Sequence, residues 1–286
     1  MGFVGVSDVL LYVSDGRADS ARSALANACA ATGATVHLEV YGTGSLYQRL
    51  GTRRAPPTPD IVWWFGPFAA QAAAIDGLLQ AHQPSNVADG AVHAPDWKWT
   101  SVDYSAIGTI GASPVASWQD LARVPRLAIA DPERSEVGLS VLLASLDRAK
   151  QTEGDAELGW GWWRTRAAAG LVLAEDDAGA LALVQDGSAS HALTLSPNAT
   201  PLSGLAPIPH ALGLAASARA VEAARGVLDW LSSEAAAGSL ALSAWRAGAN
   251  GLASLLQAAP PLDVEWGRQQ YAAARERWAA SGFGPT

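Results

Sequence analysis

The architecture of the chain can be worked out from the segment Arg126-Leu-Ala-Ile-Ala-Asp-Pro-Glu-Arg-Ser-Glu-Val-Gly138. Its apolar run ends at Asp131, and a helix is predicted to begin behind Ser135. A strand that stops at polar residues and is followed by a helix N-terminus offers hydrogen-bond donors and acceptors to a ligand. The segment therefore predicts one strand, loop and helix of an α/β sheet, with the loop able to bind a ligand.

Apolar runs and helical periodicities alternate along most of the chain. Strands are predicted at 9–13, 35–40, 60–64, 126–130, 170–174, 189–195 and 210–215, and helices at 17–32, 44–50, 68–82, 138–150, 177–186, 219–237 and 262–280. Strands separated by helices favour mostly parallel sheets with helices on both faces.

The length of 286 residues exceeds what one hydrophobic core usually organises, so two lobes are expected. An extended segment near 100–110 and a proline-rich segment that begins at Pro197 are predicted to cross between the lobes and form a hinge. We expect lobe 1 to comprise residues 1–100 and 208–286, and lobe 2, inserted between them, to comprise residues 101–207.

The net charge excludes several partners. The chain has 19 basic and 27 acidic residues, a formal charge of −8, and no long Lys/Arg cluster. Nucleic acid is therefore not an expected partner, and an anionic membrane surface would repel the protein.

No apolar stretch approaches the roughly 20 residues needed to span a bilayer. The single cysteine, Cys29, excludes an intrachain disulfide.

Candidate binding residues follow the predicted strands, because ligands of open α/β sheets bind beyond the carboxyl ends of strands. Ser and Asp at such positions also serve as helix caps, and we keep that alternative. The candidates are Ser14, Asp15, Arg17, Thr43, Gly44, Ser45, Trp64, Phe65, Trp99, Tyr104, Asp131, Ser135, Glu136, Asp176 and Ser196.

These candidates favour a positively charged ligand. The carboxylates among them, together with Asp177, outnumber the one expected cation, Arg17. A cation over an aromatic ring gains about 0.5 to 2 kcal/mol, and carboxylates can supply the rest of the desolvation cost. In the alternative interpretation, the tryptophans are core residues, and those of Gly159-Trp-Gly-Trp-Trp163 stabilise an irregular segment. The adjacent Asp176 and Asp177 could also be interpreted as an acid/base pair, but adjacent residues face different ways, so a helix start is the favoured interpretation.

Enzyme signatures are missing from the sequence. There is no P-loop, no His-Glu-x-x-His and no Gly-x-Ser-x-Gly, and Gly42-Thr-Gly-Ser-Leu-Tyr47 lacks the third glycine of a dinucleotide loop. The five histidines share no ligand spacing. We therefore expect a protein that is not an enzyme, with no catalytic residues, no cofactor and no bound metal.

The order of several short motifs is similar to that of one known family. The motifs are Leu11-Tyr-Val-Ser14, Pro59-Asp-Ile-Val-Trp63, Trp118-Gln-Asp-Leu121, Arg126 to Gly138, and Gly226-Val-Leu-Asp-Trp-Leu-Ser-Ser-Glu234. Together they resemble the extracellular solute-binding proteins of ABC transporters, in the branch that binds ferric ion, thiamine, phosphonate and polyamines. The resemblance covers nearly the whole chain.

The resemblance implies an α/β, two-lobed, type II periplasmic-binding-protein-like fold with a hinge of two crossover segments. It also implies the substrate-binding component of an ABC importer, a monomer whose lobes close on a small-molecule ligand and then dock on a membrane permease. Such a protein is exported to the periplasm or the extracellular space, and we expect that its signal peptide is missing from this sequence.

Departures from the family pattern reduce the number of ligand classes that fit the sequence. The tyrosine pair that binds ferric ion in this branch is absent from 189–195, and Glu136 and Val137 stand where a Gly and a hydroxyl residue bind anions. A small organic cation or zwitterion therefore fits best, and Trp64→Ala and Glu136→Ala are expected to weaken its binding without unfolding the protein. A ferric-ion or phosphonate/anion binder, a ligand-sensing domain for a signalling partner, and an enzyme on the same fold remain alternatives.

Overall fold

In the computed structural model, residues 8–14, 17–41, 43–51, 58–196, 198–236, 240, 259 and 261–283 are described. They fall into two compact units. Unit 1 comprises the described residues of Met1–Tyr104 and Pro209–Gly248, and unit 2 comprises those of Ser105–Ile208 and Ala249–Thr286. The chain thus passes from unit 1 to unit 2 after Tyr104 and returns before Pro209, and the described residues after Gly248 belong to unit 2 again.

The elements alternate broadly as the sequence predicted. The strands are β1 (Asp8–Ser14), β2 (Thr35–Tyr41), β3 (Ile61–Trp63), β4 (Leu79–Gln80), β5 (Thr100–Ser105), β6 (Gly108–Gly111), β7 (Leu127–Ala130), β8 (Leu171–Ala174), β9 (His191–Thr194), β10 (Thr200–Pro201) and β11 (Ile208–Ala215). The helices are α1 (Ala18–Thr32), α2 (Thr43–Gly51), α3 (Pro67–Ile75), α4 (Glu136–Glu153), α5 (Ala156–Ala168), α6 (Asp177–Gln185), α7 (Val221–Ser232) and α8 (Val264–Ala280), with 3-10 turns at Asp120–Arg123 and Glu234–Ala236.

The sheet of unit 1 is mixed rather than mostly parallel. Its strand order is β2-β1-β3-β11-β4, and β5 pairs with β11. Strand β1 runs parallel to β2 and β3, whereas β11 runs antiparallel to β3 and β4. Val9, Leu11 and Val13 of β1 belong to a core with Trp63 and residues of α1 and α7. The parallel part, β2, β1 and β3, is therefore the part that presents adjacent carboxyl ends.

Unit 2 contains a second mixed sheet with the order β10-β6-β9-β7-β8. Strands β7, β8 and β9 are parallel, whereas β6 is antiparallel to β9 and β10. Helix α6 packs on β7 and β9 through small residues that include Ala128, Ala180 and Ala192. Helices α4 and α5 approach closely at Gly159, where a Cβ would lie 2.9 Å from Cδ2 of Leu146.

The last helix belongs to unit 2 and not to unit 1, where the sequence analysis placed it with the rest of 208–286. Helix α8 packs on α4. Nζ of Lys150 donates to Oδ2 of Asp263 over 2.7 Å, and the backbone N–H of Asp263 donates to Oδ2 of Asp147 over 2.9 Å. The sequence shows that this helix has apolar residues to bury, but it does not show which unit covers them.

Two other segments differ from prediction. The helix expected at 68–82 ends at Ile75, because Gly77 adopts a positive φ of 68° and the chain continues into β4. The tryptophan-rich run at 159–163 is not irregular: it lies inside α5, which Asp155 caps by accepting a hydrogen bond from the backbone N–H of Glu157. No helix in the described ranges is both long and apolar enough to cross a membrane.

A chain of aromatic rings runs through unit 2. The rings of Trp118 and Trp162 have centroids 4.2 Å apart, and Trp162 meets Trp163 edge-on at 4.8 Å. Trp163 in turn contacts Trp278 at 5.4 Å, and Trp278 contacts Phe283 at 4.9 Å. These five rings, the aromatic chain, connect α5 to α8.

Candidate functional site

Each unit has one edge at which parallel strands end together. In unit 1, β1 and β3 end side by side, with Val13 next to Trp63. In unit 2, β7 ends between β8 and β9, with Ala130 next to Ala174 and Ile129 next to Leu193. We call these edge 1 and edge 2. Most described candidates from the sequence lie at or directly behind one of them. The others are Thr43, Gly44 and Ser45, which follow the neighbouring strand β2, and Trp99 and Tyr104, directly before β5 and within it.

A buried charge network lies behind edge 1. Arg17 follows β1 and forms an ion pair through Nη2 with Oδ2 of Asp103, on β5. Nδ1 of His210, on β11, donates to the other carboxylate oxygen of Asp103 over 2.6 Å. All three side chains are at most 2% exposed. We call these residues the buried triad.

Burial shifts the pKa values of Arg17 and His210 and so sets which members of the triad are charged. Desolvation lowers the pKa of Arg17, while the adjacent Asp103 opposes that shift. Desolvation, with a contribution from the positive charge of Arg17, also lowers the pKa of His210 to about 4 despite Asp103. His210 is therefore neutral at pH 7, and the charges of Arg17 and Asp103 cancel. Arg17, the cation that the sequence analysis placed at the site, contributes little net positive charge there.

The aromatic candidates of unit 1 are buried in this structure. Trp64 and Phe65 are 1% and 3% exposed. Nε1 of Trp99 donates to Oε1 of Gln71 over 2.7 Å, and the Tyr104 hydroxyl donates to the backbone oxygen of Gly90 over 2.7 Å. Their rings are thus packed between layers rather than presented as open faces.

Four small candidates and one carboxylate remain in unit 1. Ser14 ends β1 and is buried, and its Oγ has no hydrogen-bond partner within the part of the chain that the structure describes. Thr43, Gly44 and Ser45 form the first turn of α2. Asp15 lies outside the described residues.

The loop at edge 2 is tightly built. The backbone oxygen of Asp131 accepts from the N–H of Ser135 over 2.8 Å, and Ser135 caps α4 by accepting from the N–H of Gly138. A Cβ on Gly138 would lie 2.2 Å from the backbone oxygen of Ala130, so only glycine allows the helix to approach the strand end this closely. Oδ1 of Asp131 accepts from Nε1 of Trp278 over 3.1 Å.

Carboxylates dominate edge 2. Glu136 begins α4 and is 2% exposed. Asp176 caps α6 by accepting from the N–H of Gly179 over 2.7 Å, which confirms the helix-start interpretation. Oδ2 of Asp177 accepts from Oγ1 of Thr194 over 2.7 Å.

Ser196 lies just behind β9 at the same edge. Its backbone N–H donates to Oγ1 of Thr194 over 3.1 Å, and its Oγ accepts from the N–H of Asn198 over 3.3 Å. The edge 2 candidates are therefore held in place by local hydrogen bonds.

Several residues of these sites were not identified from the sequence. Asp103 and His210 lie in fully buried strands, and the signal that could have found them is a charged or titratable residue within such an apolar segment. Arg134 was also missed: its Nε lies 4.0 Å from Oδ2 of Asp131, and its side chain is 65% exposed. In the described ranges, no group of three or more His, Cys, Asp or Glu residues could hold a metal ion.

Comparisons with known proteins agree with this geometry. A family model described as "Bacterial extracellular solute-binding protein" matches residues 9–241, which confirms the predicted resemblance. No curated protein matches the chain.

Solved structures match over nearly the full length. AfuA of Actinobacillus pleuropneumoniae, a periplasmic binding protein with fructose-6-phosphate bound, is 13% identical with a TM-score of 0.77, over 96% of this chain and 98% of that one. Iron-bound HitA of Pseudomonas aeruginosa is 15% identical with a TM-score of 0.75, over 95% and 98%. A periplasmic thiamin binding protein is 19% identical with a TM-score of 0.71, over 98% and 96%. At these identities the matches show the fold, and they confirm the α/β type II periplasmic-binding class.

Proposed function

Because the chain belongs to the bacterial extracellular solute-binding protein family, we propose that it captures a small organic cation or zwitterion for an ABC importer. Family membership makes it a binding protein of the periplasmic or extracellular space rather than an enzyme. The membrane permease of the importer is its proposed partner.

The ligand class is inferred from the charge of edge 2. The carboxylates of Asp131, Glu136, Asp176 and Asp177 lie at or directly behind the ends of β7 and β8. The N-termini of α4 and α6 each contribute roughly half a positive charge, which offsets only part of this. Arg134 adds one exposed cation. The remaining negative potential attracts a cation and repels a phosphate.

The charges behind edge 1 do not change the preference for a cation over an anion. Arg17 is neutralised by Asp103, and His210 is neutral at pH 7. A bound anion would therefore find no unopposed positive side chain in the buried triad. An organic ammonium group, by contrast, is matched by the carboxylates of edge 2, since an opposite charge within hydrogen-bond reach strengthens such contacts.

A thermal-shift experiment tests the ligand class. Thiamine, spermidine and glycine betaine are compared with fructose 6-phosphate and ferric citrate. A ligand at 100 times its dissociation constant stabilises the protein by about 2.7 kcal/mol, which raises Tm by several degrees. Stabilisation by one of the organic cations or zwitterions alone supports the proposal. Stabilisation only by fructose 6-phosphate or ferric citrate would overturn the ligand class and leave the binding function in place.

The two ends of α6 provide a matched pair of variants. Asp176→Asn removes a charge at edge 2 and retains the cap, because Asn caps helices about as well as Asp. Asp186→Asn removes the same charge at the other end of the helix. We expect the first variant to weaken binding of the stabilising cation about tenfold, as the loss of roughly 1.4 kcal/mol implies, and the second to bind normally in calorimetry. Equal affinities would contradict the assignment of edge 2.

Closure is the second part of the proposal. We propose that residues of both units contact the ligand and that binding draws the units together around the two crossover segments. Small-angle scattering with and without the stabilising ligand should then show a smaller radius of gyration in the bound state. An unchanged radius with saturating ligand would contradict closure.

A further inference from the structure

Unit 2 contains a partly open cavity away from edge 2. It has a volume of about 330 Å³ and lies between the C-terminal half of α4, the start of α5 and the 3-10 turn Asp120–Arg123. The volume lies at the lower end of the range found for small-molecule sites, about 300 to 1,000 Å³.

This cavity is separate from edge 2. Its lining on α4 includes Arg148, which follows Glu136 by twelve residues along the same helix. At 1.5 Å per residue the two positions are about 18 Å apart. A molecule in the cavity therefore does not occupy the site at the strand ends.

One wall of the cavity is aromatic and apolar. Trp118 and Trp162 line it with their rings tilted by 33°. Trp118 is 4% exposed, while Trp162 is only partly buried. Leu158 stands one helical turn before Trp162 and is 50% exposed. This wall offers a ring surface together with an accessible apolar rim.

The opposite wall is polar but has no net charge. Nη1 of Arg148 donates to Oε1 of Glu153 over 2.9 Å, and their side chains are 11% and 43% exposed. Ser145, below them, accepts from Nε1 of Trp163 over 2.9 Å. Gln119 adds an exposed amide to the lining. The wall thus combines hydrogen-bond donors and acceptors.

We propose that this cavity is a binding site for an uncharged ring compound bearing hydroxyl groups, that is, a carbohydrate. A charged ligand would be attracted by one member of the Arg148–Glu153 pair and repelled by the other. A purely apolar ligand would strip water from that pair without replacing its hydrogen bonds, which is costly. A sugar ring covers the Trp162 wall with its C–H face and directs its hydroxyls to Arg148, Glu153 and Gln119.

Saturation-transfer difference NMR with methyl β-D-glucopyranoside and maltose tests the site, with the full-length protein and with indole as an apolar comparison. We expect saturation of the sugar ring protons in the wild-type protein. Leu158→Glu and Trp162→Ala should each weaken the binding of these sugars at least about fivefold, since the first removes the apolar rim and the second the ring surface of the wall. Leu158→Glu alters an exposed residue and is expected to fold normally.

Ile75→Glu is the matched control. Ile75 ends α3 in unit 1 and is 54% exposed, so the exchange places the same new charge on a similarly exposed aliphatic position. Sugar binding should be unchanged in this variant. The proposal fails if neither sugar shows saturation transfer, if indole binds and the sugars do not, or if sugar binding survives in Leu158→Glu and Trp162→Ala. These outcomes do not depend on the cation experiments at edge 2.

Discussion

Nδ1 of His210 lies 2.6 Å from Oδ1 of Asp103, and neither side chain reaches solvent. Asp103 is on β5, next to the point where the chain leaves unit 1, and His210 is on β11, next to the point where it returns. The same carboxylate binds Arg17 behind β1. One aspartate therefore joins both crossover strands to edge 1.

Replacement of Asp103 should destabilise the protein strongly. Asp103→Asn leaves the Arg17 guanidinium buried without its counter-charge, and breaking a buried pair in this way costs about 3 to 5 kcal/mol. Urea unfolding measures the loss. Asp19→Asn, which breaks an exposed pair with Arg22, is the control and should cost less than about 1 kcal/mol. Similar losses in the two variants would show that the buried triad is not what stabilises unit 1.

Acid should destabilise the protein through His210. Its pKa is lowered from 6.5 to about 4 in the folded state. Between these values the unfolded chain binds a proton at this residue and the folded chain does not. The contribution, about 3 kcal/mol, is thus fully present above pH 6.5 and is lost as the pH falls towards 4.

His210→Gln separates this effect from the titration of carboxylates. Glutamine offers Asp103 an amide N–H but does not titrate. The free energy of unfolding, measured in urea at pH 7.5 and pH 4.5, should fall less on acidification in this variant than in the wild-type protein. Equal falls in the two proteins would contradict the assignment.

Gly138→Ala should disturb edge 2. The added Cβ would lie 2.2 Å from the backbone oxygen of Ala130, so the start of α4 has to move away from the end of β7. We expect a loss of about 2 to 3 kcal/mol, typical of overpacking, and weaker cation binding. Gly161→Ala is the matched helical control: its Cβ meets nothing closer than 3.9 Å, so the exchange should stabilise α5 by up to about 1 kcal/mol. Thermal unfolding and calorimetry check both variants.

The hydrogen bond from Trp278 to Asp131 should contribute to docking of the last helix. Trp278→Phe retains a ring against Trp163 but removes the donor to a carboxylate, a change worth about 1.5 to 3 kcal/mol. Trp266→Phe, on the same helix, keeps a ring near Lys150 and should cost less than about 1 kcal/mol. Hydrogen exchange of α8 amides should be faster in the first variant only. Equal protection would indicate that the Asp131 contact does not hold the helix.

The parts of the site that follow local rules could be predicted. Ser135 and Asp176 are short polar residues directly before apolar helical patterns, and both cap a helix. The strand ends of edge 2 follow from short apolar runs. The buried triad could not be predicted, because Arg17, Asp103 and His210 are far apart in sequence and meet only through the pairing of distant strands.

The aromatic residues show a second limit of prediction from the sequence. The three consecutive residues of β3 are all buried, so both faces of the sheet are covered at this strand, and Trp64, which follows it, is buried too. Sequence alternation cannot distinguish a covered ring from one that faces a ligand. Trp64→Ala, which we expected to weaken binding without unfolding, would remove a buried indole at a cost of about 3 to 5 kcal/mol. Glu136→Gln is therefore the better test of the site.

The aromatic chain also gives the protein an intrinsic optical reporter. Indoles separated by 4.2 to 5.4 Å couple their electronic transitions, so we expect an exciton couplet from the strong indole transition in the far-ultraviolet circular dichroism. At one end the chain borders the cavity through Trp162, and at the other Trp278 touches Asp131 at edge 2. A change at either place perturbs a coupled chromophore, so occupancy can be followed spectroscopically without attaching a dye.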